Sequence, residues 1–133
     1  MKTKNNDLGL LILRISIGFL MLLHGIAKFK GISFIEGMLA EKGLPTFIAY
    51  GIFITEVIAP LLIIIGYRTR IAALVYAFGA LMAVLIAHSG DIFSLNQYGG
   101  WAVELLGLYL FGSITLFFTG GGKIAVSNTN EWD

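Results

Sequence analysis

Five ionisable side chains fall inside or at the ends of long apolar runs: Arg14, His24, Glu56, His88 and Glu104. Placing such a group in hydrocarbon costs ~2.5–3.5 kcal/mol on insertion scales, so each needs a partner or a purpose. A buried carboxylate can exchange protons, and a neighbouring arginine or histidine tunes how readily it does so. At a helical rise of ~1.5 Å per residue, Glu56 lies near the midplane of its run and Arg14 ~5 Å to one side, within reach of an arginine side chain. Arg14 and Glu56 are therefore a candidate intramembrane polar pair. The same count puts His24 and Glu104 ~9–10 Å toward the other side. Lys28 is one turn beyond His24, and His88 closes its run on that side. His24, Lys28, His88 and Glu104 make a candidate outer polar cluster, in which Lys28 stabilises Glu104 and His24 hydrogen-bonds it.

Pro60 bears on Glu56. Proline has no amide hydrogen, so the carbonyl of residue 56 loses its helical donor and a kink is expected. In lipid that carbonyl must be satisfied by protein or water, which turns Glu56 toward the interior. Two readings of these charges stand side by side. They are staples between helices, or they are a functional site. A bis-histidine haem on His24 and His88 needs two histidines at similar depth, and hydrogen-bonded interfacial histidines are the simpler account. The chain has no cysteine, which excludes disulfides, thiol catalysis and cysteine-ligated clusters within it. No metal site is expected.

The elements that position these residues follow from composition. Of 133 residues, 57% are hydrophobic and 13% charged, about half the charge of a soluble domain. The net charge of +1 gives no signal for nucleic acid. The surplus apolar surface needs lipid as its partner. A span takes ~20 mostly apolar residues, and four stretches approach that: about 8–27, 47–67, 71–88 and 101–118. The expected fold class is all-α, an integral membrane four-helix bundle forming one transmembrane domain. The first run could imitate a signal peptide, but Arg14 interrupts it and no A-x-A-like cleavage site follows.

Between the first two spans, Ser33 and Glu36 read as a capping box and Gly43-Leu44-Pro45 as a stop. The segment is expected as a short amphipathic interfacial helix, or as a capped loop packed on the bundle end. Arg68-Thr69 forces the second and third spans to be antiparallel neighbours. The third span carries small residues at Ala73, Ala77, Ala80 and Ala87, a close-packing face. The segment after Gly120-Gly121-Gly122 is polar and expected to fray. Lys2, Lys4, Arg68, Arg70 and Lys123 outweigh Lys28, Lys30 and Lys42, which places both termini in the cytoplasm.

Leu13-Arg14 through Gly18 to His24-Gly25 and Lys28-Phe29, with Gly43-Leu44-Pro45 after them, resemble the opening motif of the DoxX family. Glu56 through Gly66 with Thr69-Arg70-Ile71-Ala72-Ala73 resembles its second signature. Glu104, followed by an apolar helix ending in Gly120 to Gly122, resembles its third. The likeness covers nearly the whole chain. Ala59-Pro60 departs from the small residues that many members carry there.

The resemblance implies four transmembrane helices in a bacterial inner membrane. It also implies association with thiosulfate:quinone oxidoreductase or quinol oxidase complexes, or with oxidative-stress assemblies that include superoxide dismutase and a sulfurtransferase. The expected function is thus a membrane subunit of a redox or quinone-linked assembly. Glu56 or Glu104 would exchange protons, quinone would be the cofactor, and partners would be other subunits or a second copy. The alternatives are a non-catalytic membrane scaffold, or a small-solute or proton transporter.

Overall fold

The computed structural model describes residues 4–133. Lys2, counted in the charge bias above, lies outside the described residues. Helix α1 spans Asn6–Ala27, and the Asn5 side chain accepts from the Leu8 amide to cap it. Helix α2 spans Ser33–Glu41, and α3 spans Thr46–Ile65. Helix α4 spans Thr69–Ala87 and α5 spans Glu104–Thr119. No strand occurs among the described residues, only an isolated bridge between Leu95 and Trp101. Helices α1, α3 and α4 are long and apolar enough to cross a membrane, and α5 is a shorter apolar helix. Their exposed surface is apolar: Ile12, Phe19, Phe78, Leu108 and Phe111 all point outward. Lipid, not water, satisfies such a surface.

One core draws on all four apolar helices. Ile17 and Met21 come from α1, Ala59 and Ile63 from α3, Ala73, Tyr76 and Ala80 from α4, and Tyr109 and Leu116 from α5. The small residues of α4 do close packing, as Ala73, Ala77 and Ala80 are buried. Helices α4 and α5 pack most extensively, whereas α1 and α5 meet more sparsely. A second cluster, Ile32, Ile35, Leu39 and Ala49, seats α2 against the start of α3.

Three local expectations are corrected. Ser33 makes no side-chain cap; Ile32 is the N-cap of α2 and its carbonyl takes the Ile35 and Glu36 amides. Helix α5 starts at Glu104 rather than near Trp101, because Trp101 is bridged to Leu95 and its indole donates to the Ile92 carbonyl. The segment after Gly122 is docked, not frayed. Its Val126 and Ser127 amides donate to the Ile65 and Gly66 carbonyls. Arg68 pairs with Asp133 at 3.0 Å, and the Arg70 amide bonds Trp132. Polar composition suggested fraying, but these partners all lie far away in sequence.

Candidate functional site

Helix α3 is not uniform. A π turn occupies Ile54–Ile58, with the Ala59 amide bonded to the Ile54 carbonyl. Pro60 follows in the first turn of the α segment Ala59–Ile65, where a missing amide hydrogen costs little. The helix thus accommodates Pro60 by widening just before it. π turns of this kind are frequent at functional sites. Glu56 sits in this one and is 8% exposed.

The partner of Glu56 is Lys28, not Arg14. Lys28 Nζ donates to Glu56 Oε1 at 2.5 Å. Gly25, one turn before Lys28, lies directly against the Glu56 carbonyl, and a Cβ there would also stand 2.7 Å from the Val57 side chain. Only glycine lets α1 approach the widened turn this closely. That approach carries Lys28 over the end of α1 to the carboxylate.

Arg14 is 1% exposed and spends its fork on backbone carbonyls. Nε donates to Ile63 O and Nη2 to Ile64 O, both at 2.9 Å. Nη1 donates to Gly121 O at 3.1 Å and to Ile124 O at 2.5 Å. Ile63 and Ile64 end α3, where Gly66 turns left-handed at φ 78°. The guanidinium therefore neutralises the negative end of α3 and ties the C-terminal segment to it. The candidate pair with Glu56 is overturned by these four bonds.

The outer cluster is also divided. His24 meets the Tyr109 ring edge-on, with centroids 6.0 Å apart. His88 Nδ1 lies 3.3 Å from Asp91 Oδ2, a partner that sequence spacing did not single out. Glu104 is exposed and folds beside Gly100, its carboxylate making no hydrogen bond or ion pair among the described residues. It is not held by Lys28 or His24. No group of three or more potential metal ligands occurs among the described residues.

Two residues enter the site that the sequence reading passed over. Tyr76 of α4 donates to the Ile17 carbonyl at 2.8 Å, and its ring meets Tyr109 edge-on at 6.1 Å. The signal available was a tyrosine in each of two apolar runs. Two concavities of about 410 and 420 Å³ line the seam between α1 and α5, sharing Leu20, Leu105 and Tyr109. His24 stands in the second of them. The site is thus a carboxylate–lysine pair, a tyrosine pair and a histidine beside a lipid-facing groove.

Long apolar helices around buried charge define a small helical integral membrane protein. The chain belongs to the DoxX family, whose model matches residues 9–89. It is similar to a Bacillus subtilis (strain 168) protein named "Putative oxidoreductase CatD", 31% identical over 123 residues, covering 92% of this chain and 87% of that one. It is also similar to "Inner membrane protein YphA" of Escherichia coli (strain K12), 30% identical over 125 residues, covering 88% and 86%. No solved structure matches the chain.

Proposed function

We propose that this protein is a membrane subunit of a quinone-linked redox assembly in a bacterial inner membrane, with both termini cytoplasmic. The observation that carries the reading is the Glu56 carboxylate, buried on a π turn and paired with Lys28, in a bundle whose Tyr109 lines the α1–α5 groove. The likeness to a protein named as an oxidoreductase supports it. In this arrangement a bound quinone supplies two-electron, two-proton chemistry. The electrons would come from a redox centre on a partner protein; with no cysteine, this chain holds no cysteine-ligated cluster of its own. The chain's own contribution is protonic. Glu56 holds or releases a proton at its carboxylate, and Lys28 compensates the charge when the proton leaves. Tyr76, anchored on Ile17, and Tyr109 belong to the buried core of the bundle, and Tyr109 also lines the groove. On this reading α2 lies at the outer interface, its exposed Phe34 toward lipid.

The test is purification in mild detergent, followed by an optical spectrum, quinone extraction and identification of co-purifying proteins. Quinone reduction by the recovered complex is then compared with that of Glu56→Gln. A large loss per folded molecule is expected. A complex whose rate ignores Glu56→Gln leaves the protein a non-catalytic scaffold.

A further inference from the structure

The groove between α1 and α5 has a polar end and an apolar length. At one end stand His24 and Tyr109. Both side chains lean toward the N-terminus of their own helix, and because α1 and α5 run in opposite directions they lean toward each other. From there the groove passes Leu20 and Leu105 to Leu13, Gly112 and Ser16. Residues 13 to 24 of α1 alone span roughly 16 Å of it at helical rise. The hydroxyls of Ser16 and Thr115 are already bonded to the Ile12 and Phe111 carbonyls, so the length of the groove is apolar to an occupant.

Tyr109 differs from them. The residue is 4% exposed, yet its hydroxyl makes no hydrogen bond among the described residues, while that of Tyr76 does. Thr69 Oγ1 is the one fully sealed side-chain polar atom without a partner among the described residues. The Tyr109 hydroxyl is therefore unpartnered among the described residues without being fully sealed, and Tyr109 lines both concavities of the groove. A buried hydroxyl left without an acceptor costs ~1–3 kcal/mol, so an acceptor arriving through the groove is favoured.

We infer that this groove is a lateral binding site, entered from the lipid, for a molecule with a carbonyl-bearing ring and a long apolar tail. The ring carbonyl accepts from the Tyr109 hydroxyl beside His24, and the tail lies along Leu20 and Gly112. A tail-less anion or a hydrophilic solute leaves the apolar length unused. The inference rests on the quinone-linked reading above and names where the quinone sits and which side chain orients it.

The test is a titration of the purified protein in nanodiscs with a decyl-tailed benzoquinone and with the same ring lacking the tail. Tyr109→Phe keeps the ring and removes the donor, and is expected to weaken both ligands about tenfold without lowering thermal stability. Ser16→Leu fills the groove from an exposed position, and is expected to weaken only the tailed ligand. Gly112→Leu is a second groove-filling variant should Ser16→Leu fail to fold. If the unaltered protein binds the tailed quinone while both substitutions leave binding unchanged, this site is overturned and the quinone-linked reading stands. If the unaltered protein binds no quinone, both are overturned and the groove holds lipid acyl chains only.

Discussion

Lys28 and Glu56, 28 positions apart, meet at 2.5 Å and tie the end of α1 to the widened turn of α3. Their side chains are 21% and 10% exposed, so neither charge is fully hydrated and each depends on the other. Removing one partner of a buried pair costs ~3–5 kcal/mol, because the survivor is left uncompensated. Glu56→Gln and Lys28→Met should each lower the melting temperature in detergent. The double variant should lose less than the sum of the two. Arg14 with Glu56 should give additive losses, and a strong non-additive term there would contradict the geometry.

Arg14 predicts a different phenotype. Hydrogen bonds to a charged group contribute ~1.5–3 kcal/mol each, and Arg14 makes four. Two of its acceptors, Gly121 and Ile124, belong to the C-terminal segment. Arg14→Met should therefore release that segment as well as destabilise α3. Limited proteolysis after Lys123, slow in the native protein, should become fast. Arg14→Lys should not rescue it, because one ammonium cannot replace a planar fork.

Gly25 is tested by a single methyl. A Cβ at this position meets the Glu56 carbonyl and would lie 2.8 Å from the Glu56 carbonyl carbon, neither of which can move without shifting α3. Gly25→Ala should destabilise by about 1–3 kcal/mol, the range of overpacking. Gly37 in α2 faces open space, so Gly37→Ala should instead gain up to ~1 kcal/mol of helix propensity. Thermal denaturation of the two variants in parallel separates backbone contact from propensity.

The docked C-terminal segment should respond to acid. Burial pushes the Asp133 carboxyl up, but hydrogen bonds from Ser127, the Asn130 amide and Arg68 outweigh it and hold the group at about 2, below its usual 3.8. A folded-state value below the unfolded one stabilises docking at pH above about 4 and loses that contribution as pH falls toward 2. Trp132 emission should shift across this window. Asp133→Asn should abolish the pH dependence and raise proteolysis at neutral pH.

The orientation is checked by fusion. A phosphatase active only outside the cytoplasm, joined after Asp133, should be inactive, and a fluorescent protein at the same point should fold and emit.

Composition and periodicity alone determined the helical membrane class and its four apolar segments. A span is set by local hydropathy against a fixed hydrocarbon thickness, and that is a property of the chain itself. The buried placement of Arg14 and Glu56 followed from the same count. Their partners did not. Position along each helix was legible, but rotation about the helix axis and the spacing between helices were not. Arg14 and Glu56 looked paired because their depths are close. Only tertiary packing shows Arg14 turned to the end of α3, and Lys28 brought over Glu56 by the glycine contact at residue 25. The π turn belongs to the same category, since Pro60 announced a lost hydrogen bond but not how α3 would absorb it. The docking of residues 120–133 was invisible for a further reason. Its acceptors and donors, at Ile65, Gly66, Arg68 and Arg70, lie more than 45 residues away, and polarity near a chain end carries no trace of partners so distant.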